Sequence, residues 1–157
     1  MAVKEVKLST IEEVLTTLTT AEFNDALKRN RSAFLFRGLP NVSYKLTTSL
    51  RWNCKGKAGE LEPSILRNFS KYAASTSPLN SCWEQMVIGQ HHGLPTRLMD
   101  WTYSPLAALH FATSGEDITG MNQHDAVVWA IDITEMNTLL PAKYQKVLND
   151  ERAYLFT

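Results

Sequence analysis

The stretch Ala126 to Ile133, AVVWAIDI, is the clearest strand in the sequence, dense in the β-branched and aromatic side chains that suit a pleated surface. A second good strand candidate, Ala33-Phe34-Leu35-Phe36-Arg37, lies far upstream of it. Helix-like and strand-like stretches are mixed between them, with no regular βαβα alternation. That pattern argues against a doubly wound parallel sheet. It predicts an α+β fold, with a small, mixed, mainly antiparallel sheet and helices packed around it.

Period-two geometry puts Phe34 and Phe36 on one face of the first strand and Ala33, Leu35 and Arg37 on the other, with Gly38 and Pro40 ending it. Tyr44 to Leu50 reads as a second, shorter strand, and CKGKAGE as a turn. The run Ser9-Thr10-Ile11-Glu12 matches a capping box, followed by an apolar stripe of Ile11, Val14, Leu15 and Leu18. A short helix is expected from Phe23 and Leu27 to about Arg29. A longer one is expected from Glu60, with Pro63 in its first turn and Ile65, Leu66, Phe69 and Tyr72 buried. Trp83, Met86, Val87 and Gln90 mark another, closed by Gly93. Leu94 to Thr102 reads as loop, short strand, loop. Ser104 then caps a helix with Pro105 at its first position, burying Leu106, Leu109 and His110. Helical turns follow around Leu139 and over Tyr144 to Asn149.

The 157 residues, 44% apolar and 20% charged, suffice for one globular domain. Lys+Arg and Asp+Glu are 16 each, so the overall charge does not favour nucleic acid or an anionic membrane as a partner. Cys54 and Cys82 are too few for a disulfide framework or a four-thiolate zinc site. The N-terminus has no apolar core of a secretory signal, and no apolar run approaches the ~20 residues that span a bilayer. The expected setting is the cytoplasm, with no membrane contact.

Two places concentrate chemistry. Arg37 brings a guanidinium fork suited to phosphate or carboxylate, and Gly38 beside it permits close approach of a ligand or a turn. The alternative is an Arg paired to an acid of the same fold, such as Asp100. The second place is Gln90 to Thr102, QHHGLPTRLMDWT, where two His, an Arg, an Asp and a Trp fall between two helices. His91 could act as acid or base, or simply cap the end of its helix. Adjacent His91 and His92 do not converge easily on one metal, and no third ligand stands at a familiar spacing, so no metal is expected. Asp100 could orient Arg97 or Arg37 or act as a base. Trp101 could stack on a ring or sit in the core, and Ser104 reads as a cap. Glycine-rich phosphate loops, nucleophile elbows and metalloprotease helices are all absent.

At Phe36-Arg37-Gly38, at Thr48-Ser49-Leu50-Arg51 and above all at QHHGLPTRLMDWTYSPLAALHFA, Gln90 to Ala112, the sequence resembles the FRG domain family. The Val127-Val128-Trp129 strand fits as well, so the resemblance covers roughly residues 30 to 133. Met99 and His92 stand where family members usually have Leu and often Tyr. Members occur in bacteria and phages, in suspected defence or toxin systems. The order of elements is also similar to ADP-ribosyltransferases of the Arg-Ser-Glu type, which implies NAD as cofactor. In that likeness Arg37 and Gly38 would contact NAD phosphate or ribose. Asp100, Thr102 and Ser104 would form the second motif, and Trp101 or Tyr44 would stack on the ring. Arg97 and His91 would line the site. The third element, a late Glu or Gln, has only Glu135, Gln145 and Glu151 as candidates. The resemblance therefore implies a chain that stops short of the completing strand.

Three readings stay open: an NAD-using transferase-like domain, a non-catalytic module that recognises protein or nucleic acid through Arg37, Arg51 and Arg97, and a polar network serving the fold alone.

Overall fold

A computed structural model of the chain describes residues 3–20, 23–25, 28–30, 32–73, 81–114, 123–151 and 153. The fold is α+β. The chain divides into two compact units, one made of Met1–Ser43 with Trp101–Thr157 and the other of Tyr44–Asp100.

The first unit is built on a two-stranded antiparallel sheet. Strand β3 (Phe34–Leu39) pairs with β4 (Val127–Asp132) in a register that sets Phe34 against Asp132, Arg37 against Trp129 and Leu39 against Val127. On its other edge β3 gains one further partner. Phe36 N–H donates to the Thr102 carbonyl at 2.8 Å and Thr102 N–H to the Phe36 carbonyl at 2.9 Å. Helix α5 (Pro105–Thr113) starts directly after this bridge. The Ser104 hydroxyl accepts from Ala107 N–H and Pro105 fills the first turn, as the sequence predicts.

Helix α5 lies on the Phe36–Gly38 face of β3. A Cβ built on Gly38 would stand 1.8 Å from the Ala108 carbonyl oxygen and 2.7 Å from Ala112 N. Backbone meets backbone there, and this decides which side chains of α5 are buried. Ala108 and Ala112, one turn apart, face inward, while the expected core residues Leu106 and His110 are exposed and Leu109 is half-buried. The strand also runs through Gly38 to Leu39 instead of ending at Arg37, because a residue without a Cβ keeps strand geometry where the helix presses closest.

Three further expectations for this unit change. Phe23 to Arg29 is no helix: β1 (Phe23–Asn24) and β2 (Arg29–Asn30) pair antiparallel, and Leu27 lies outside the described residues. Helix α1 (Ile11–Thr19) takes Thr10, not Ser9, as its cap, in a box closed by Glu13. The Glu13 carboxylate accepts from both Ser9 and Thr10 N–H, which the Ser9–Glu12 frame would not offer, and these bonds hold its pKa below the usual value. The α1 stripe does not pack into the core: Ile11 is 77% exposed and no α1 side chain is buried. After β4 come α6 (Ile133–Thr138), capped by Asp132, and α7 (Ala142–Asp150).

The second unit is helical. Tyr44 to Leu50 forms no strand. Thr48 instead caps α2 (Ser49–Cys54) by accepting from Arg51 N–H. The expected CKGKAGE turn is a 3-10 helix, Lys55–Lys57, that leads into α3 (Ala58–Ala73). This early start puts Pro63 in the second turn. Leu66 is buried, but Tyr72 is exposed. Helix α4 (Cys82–His91) ends as the sequence predicts at Gly93, whose φ of +80° is the left-handed conformation of a helix stop. Leu94 N–H donates to the Gly89 carbonyl and Gly93 N–H to that of Gln90, and the Leu94 side chain closes onto Gly89. Trp83 remains exposed, as does Val87, and Met86 carries the packing. The short strand expected within Leu94–Thr102 is absent; Thr102 makes only the bridge to Phe36.

Candidate functional site

The residues nominated by the sequence divide between the units. Arg37, Gly38, Trp101, Thr102 and Ser104 belong to the first, and Tyr44, His91, Arg97 and Asp100 to the second.

In the first unit the sheet separates them further. Side chains alternate along a strand, and directly opposed residues share a face. Thr102, opposite Phe36, therefore lies on the face that α5 covers, while Arg37 emerges on the other. The expected facing of Arg37 and Thr102 is not what this register makes. Thr102 Oγ1 accepts from Ser104 N–H at 3.0 Å and the Ser104 hydroxyl caps α5, so both hydroxyls hold the bridge-to-helix junction. The close approach that Gly38 permits is made by α5 itself.

Arg37 instead has Trp129 directly across the ladder. Both are half-buried, and Leu35, Leu39, Val127 and Ile131 complete the same face. Trp129 Nε1 is shielded from solvent and, among the described residues, has no hydrogen-bond partner. An indole donor left in that state costs about 1–3 kcal/mol relative to a satisfied one. The sequence marks Trp129 as a strand residue only; its place beside Arg37 depends on a register between strands far apart in the chain.

In the second unit the polar residues meet at Thr96, which is 1% exposed. Its N–H donates to the Ser49 hydroxyl, and its carbonyl accepts from Leu50 N–H and from that hydroxyl. Its own hydroxyl accepts from Leu98 N–H and donates to Gln90 Oε1. That bond fixes the Gln90 amide, which turns Nε2 to Asp100 Oδ1 at 2.5 Å. Thr96 thus ties α2, α4 and the loop together and sets the direction of each bond out to Asp100.

Arg97 takes Glu62 as its carboxylate, not Asp100. Its Nε and Nη2 grip both carboxylate oxygens of Glu62, a side chain only 5% exposed, while the Arg97 side chain is 64% exposed. The fork holds the Glu62 carboxyl below its ordinary pKa, against the opposing effect of burial, and raises that of Arg97. The pair accordingly works as an anchor for α3. Glu62 has a sequence signal: it precedes Leu66 and Phe69 at i, i+4 and i+7, so a carboxylate sits on the apolar stripe and demands a partner.

His91 ends α4, exposed, with its ring edge-on to that of His92 at 5.5 Å between centroids. Tyr44 is exposed and Trp101 half-buried. Of the late candidates, Gln145 donates to the carbonyls of Thr138 and Leu140, Glu135 lies in α6, and Glu151 caps α7. Among the described residues no three His, Cys, Asp or Glu side chains gather as metal ligands, and no helix is long and apolar enough to cross a membrane.

Neither the curated proteins nor the solved structures contain a match to the chain. The model of the FRG domain matches residues 32–119, more than half of the sequence. That span takes in Phe36-Arg37-Gly38, the Thr96 hub and the whole of α5, and on this evidence the chain belongs to the FRG domain family.

Proposed function

We propose that this FRG domain binds a nucleotide, with NAD the first to test, on the sheet face that carries Arg37 and Trp129. We place it as an ADP-ribosyltransferase-like domain of a bacterial or phage defence or toxin system. The observation that supports the reading is the pairing of Arg37 with Trp129 across the ladder. Opposed side chains start about 5 Å apart, so a guanidinium fork and an indole plane can engage the diphosphate and a ring of one molecule. A ligand oxygen that displaced the side chains shielding Trp129 Nε1 would give that donor an acceptor. The half-buried apolar neighbours Leu35, Leu39, Val127 and Ile131 suit the ring. NAD would supply the ADP-ribosyl group. Arg37 would hold its charge, while Thr102 and Ser104 would keep β3 and α5 in register behind the ligand face.

Isothermal titration with NAD, and with ADP-ribose as a second probe, tests the reading. The wild type should give a saturable heat. Arg37→Ala should weaken binding on the order of tenfold to a hundredfold, the loss of a charge-assisted contact of about 1.5–3 kcal/mol. Trp129→Phe keeps a ring but no donor and should weaken it less. Absence of saturable binding to either probe, or an Arg37→Ala variant that binds as the wild type does, would sink the proposal.

A further inference from the structure

We infer that β4 is a docking edge for a second copy of this chain, with β4 pairing antiparallel to its counterpart about a two-fold axis at Ala130. The argument begins with the ladder. The N–H and C=O of Phe36 are both taken by Thr102, so Phe36 and Ala130 form a non-hydrogen-bonded pair between β3 and β4. The pattern alternates along the strand, which Ile133 N–H donating to the Ala33 carbonyl at 2.9 Å continues. It follows that the N–H and C=O groups of Val128 and Ala130, and the N–H of Asp132, point away from β3. Among the described residues nothing pairs with the outward groups of Val128 and Ala130. Ala130 is exposed as well.

Isolated edges of this kind are usually blunted by Lys, Pro or a bulge. Val127-Val128-Trp129-Ala130-Ile131-Asp132 has none of these, and its pairing with β3 is in continuous register. Two-stranded sheets are marginal on their own.

A second copy fits better than another occupant because the edge complements itself. With Ala130 opposite Ala130 of the other copy, Val128 stands opposite Asp132, and all outward-directed residues face one another. Trp129 then meets Ile131 of the other copy on the face that also holds Arg37, so the apolar surface becomes continuous across four strands. No like charges are opposed: the one acid, Asp132, meets a Val, and its carboxylate already bonds to Thr134 and Glu135 N–H. Lys+Arg and Asp+Glu are equal at 16 each, so net charge does not hold two copies apart.

Sedimentation equilibrium at on the order of 100 μM tests this, the range for an interface smaller than the standard size. The wild type should show a reversible dimer. Ala130→Pro removes an outward N–H and no bond to β3, so it should be folded and monomeric. If that variant does not fold, Ala130→Lys decides by the same readout. Ala130→Cys in a Cys54→Ser, Cys82→Ser background should form an intermolecular disulfide under mild oxidation, since opposed residues of such a pair lie about 5.5 Å apart at Cα, within disulfide reach. Gln123→Cys in the same background should not. A wild type monomeric at that concentration overturns the inference. A dimer that survives both Ala130 substitutions, or an Ala130→Cys protein that does not crosslink, overturns it too.

Discussion

The two family motifs hold their own units together by opposite means. At Gly38 in the first unit the decisive property is an absence: with no Cβ, the β3 backbone lies against that of α5, and two alanines complete the contact. At Thr96 in the second unit it is a surplus. One small side chain and its peptide groups serve Ser49, Leu50, Gln90 and Leu98 together. The first contact is steric and has no tolerance for added volume. The second is directional and tolerates volume but not loss of polarity. Arg37 stands next to the steric contact in sequence, half-buried and opposite Trp129 on the other face of β3.

Each half of that contrast can be broken. Gly38→Ala should have the largest effect, at least about 3 kcal/mol, because the atoms its methyl meets are backbone and cannot rotate away. Urea unfolding measures it, and a loss under 1 kcal/mol, the scale of ordinary strand propensity, would mean that close packing is not why glycine stands there. Thr96→Val keeps shape and removes the hydroxyl, leaving Leu98 N–H and Gln90 Oε1 without a partner. It should cost about 2 kcal/mol in the same assay, and it should free the Gln90 amide to reorient, visible as a shift of its side-chain NH₂ resonances toward those of a solvent-exposed Gln. An unchanged midpoint would show that the hub is not directional.

Smaller and pH-dependent is Arg97→Ala. In the wild type the Glu62 pKa is lowered in the folded state, so its stabilising contribution is present above the ordinary carboxylate pKa. That contribution fades as pH falls through the lowered folded value. Without Arg97, burial alone acts on Glu62 and raises its pKa, and the sign reverses. The variant should be less stable than the wild type at neutral pH, with the gap closing as the pH drops below about 4. Unfolding midpoints taken across that range decide it; a gap that stays constant would mean that Arg97 acts through packing alone.

Local signals carried a good part of the fold. The two long strands, the Ser104-Pro105 start of α5 and the Gly93 stop of α4 each rest on chemistry within a few residues, and each is present in the structure, with β3 alone running past its expected end at Arg37 to Leu39. Tyr44 to Leu50 misled because Leu46, Thr48 and Leu50 alternate like a strand, yet Thr48 had the alternative of capping a helix and the structure takes it. Phe23 to Arg29 misled in the other direction, an apolar pair at helical spacing lying in what proves to be a paired-strand segment. Of the site, the motif positions were legible but not their partners. Arg97 finds Glu62 from 35 residues away, and Trp129 reaches Arg37 only through a ladder register. Such pairings are set by tertiary packing, which a single sequence does not encode locally.

The division of the chain has a consequence for the order of events on the ribosome. Tyr44–Asp100 is continuous in sequence, whereas β3 is synthesised before it and cannot be paired until β4 emerges after it. At roughly 5–20 residues per second, β3 waits several seconds while the helical unit is synthesised behind it. A nascent chain stalled after Asp100 should therefore present a protease-resistant second unit trailing an unprotected, aromatic-rich strand, a natural target for a holdase.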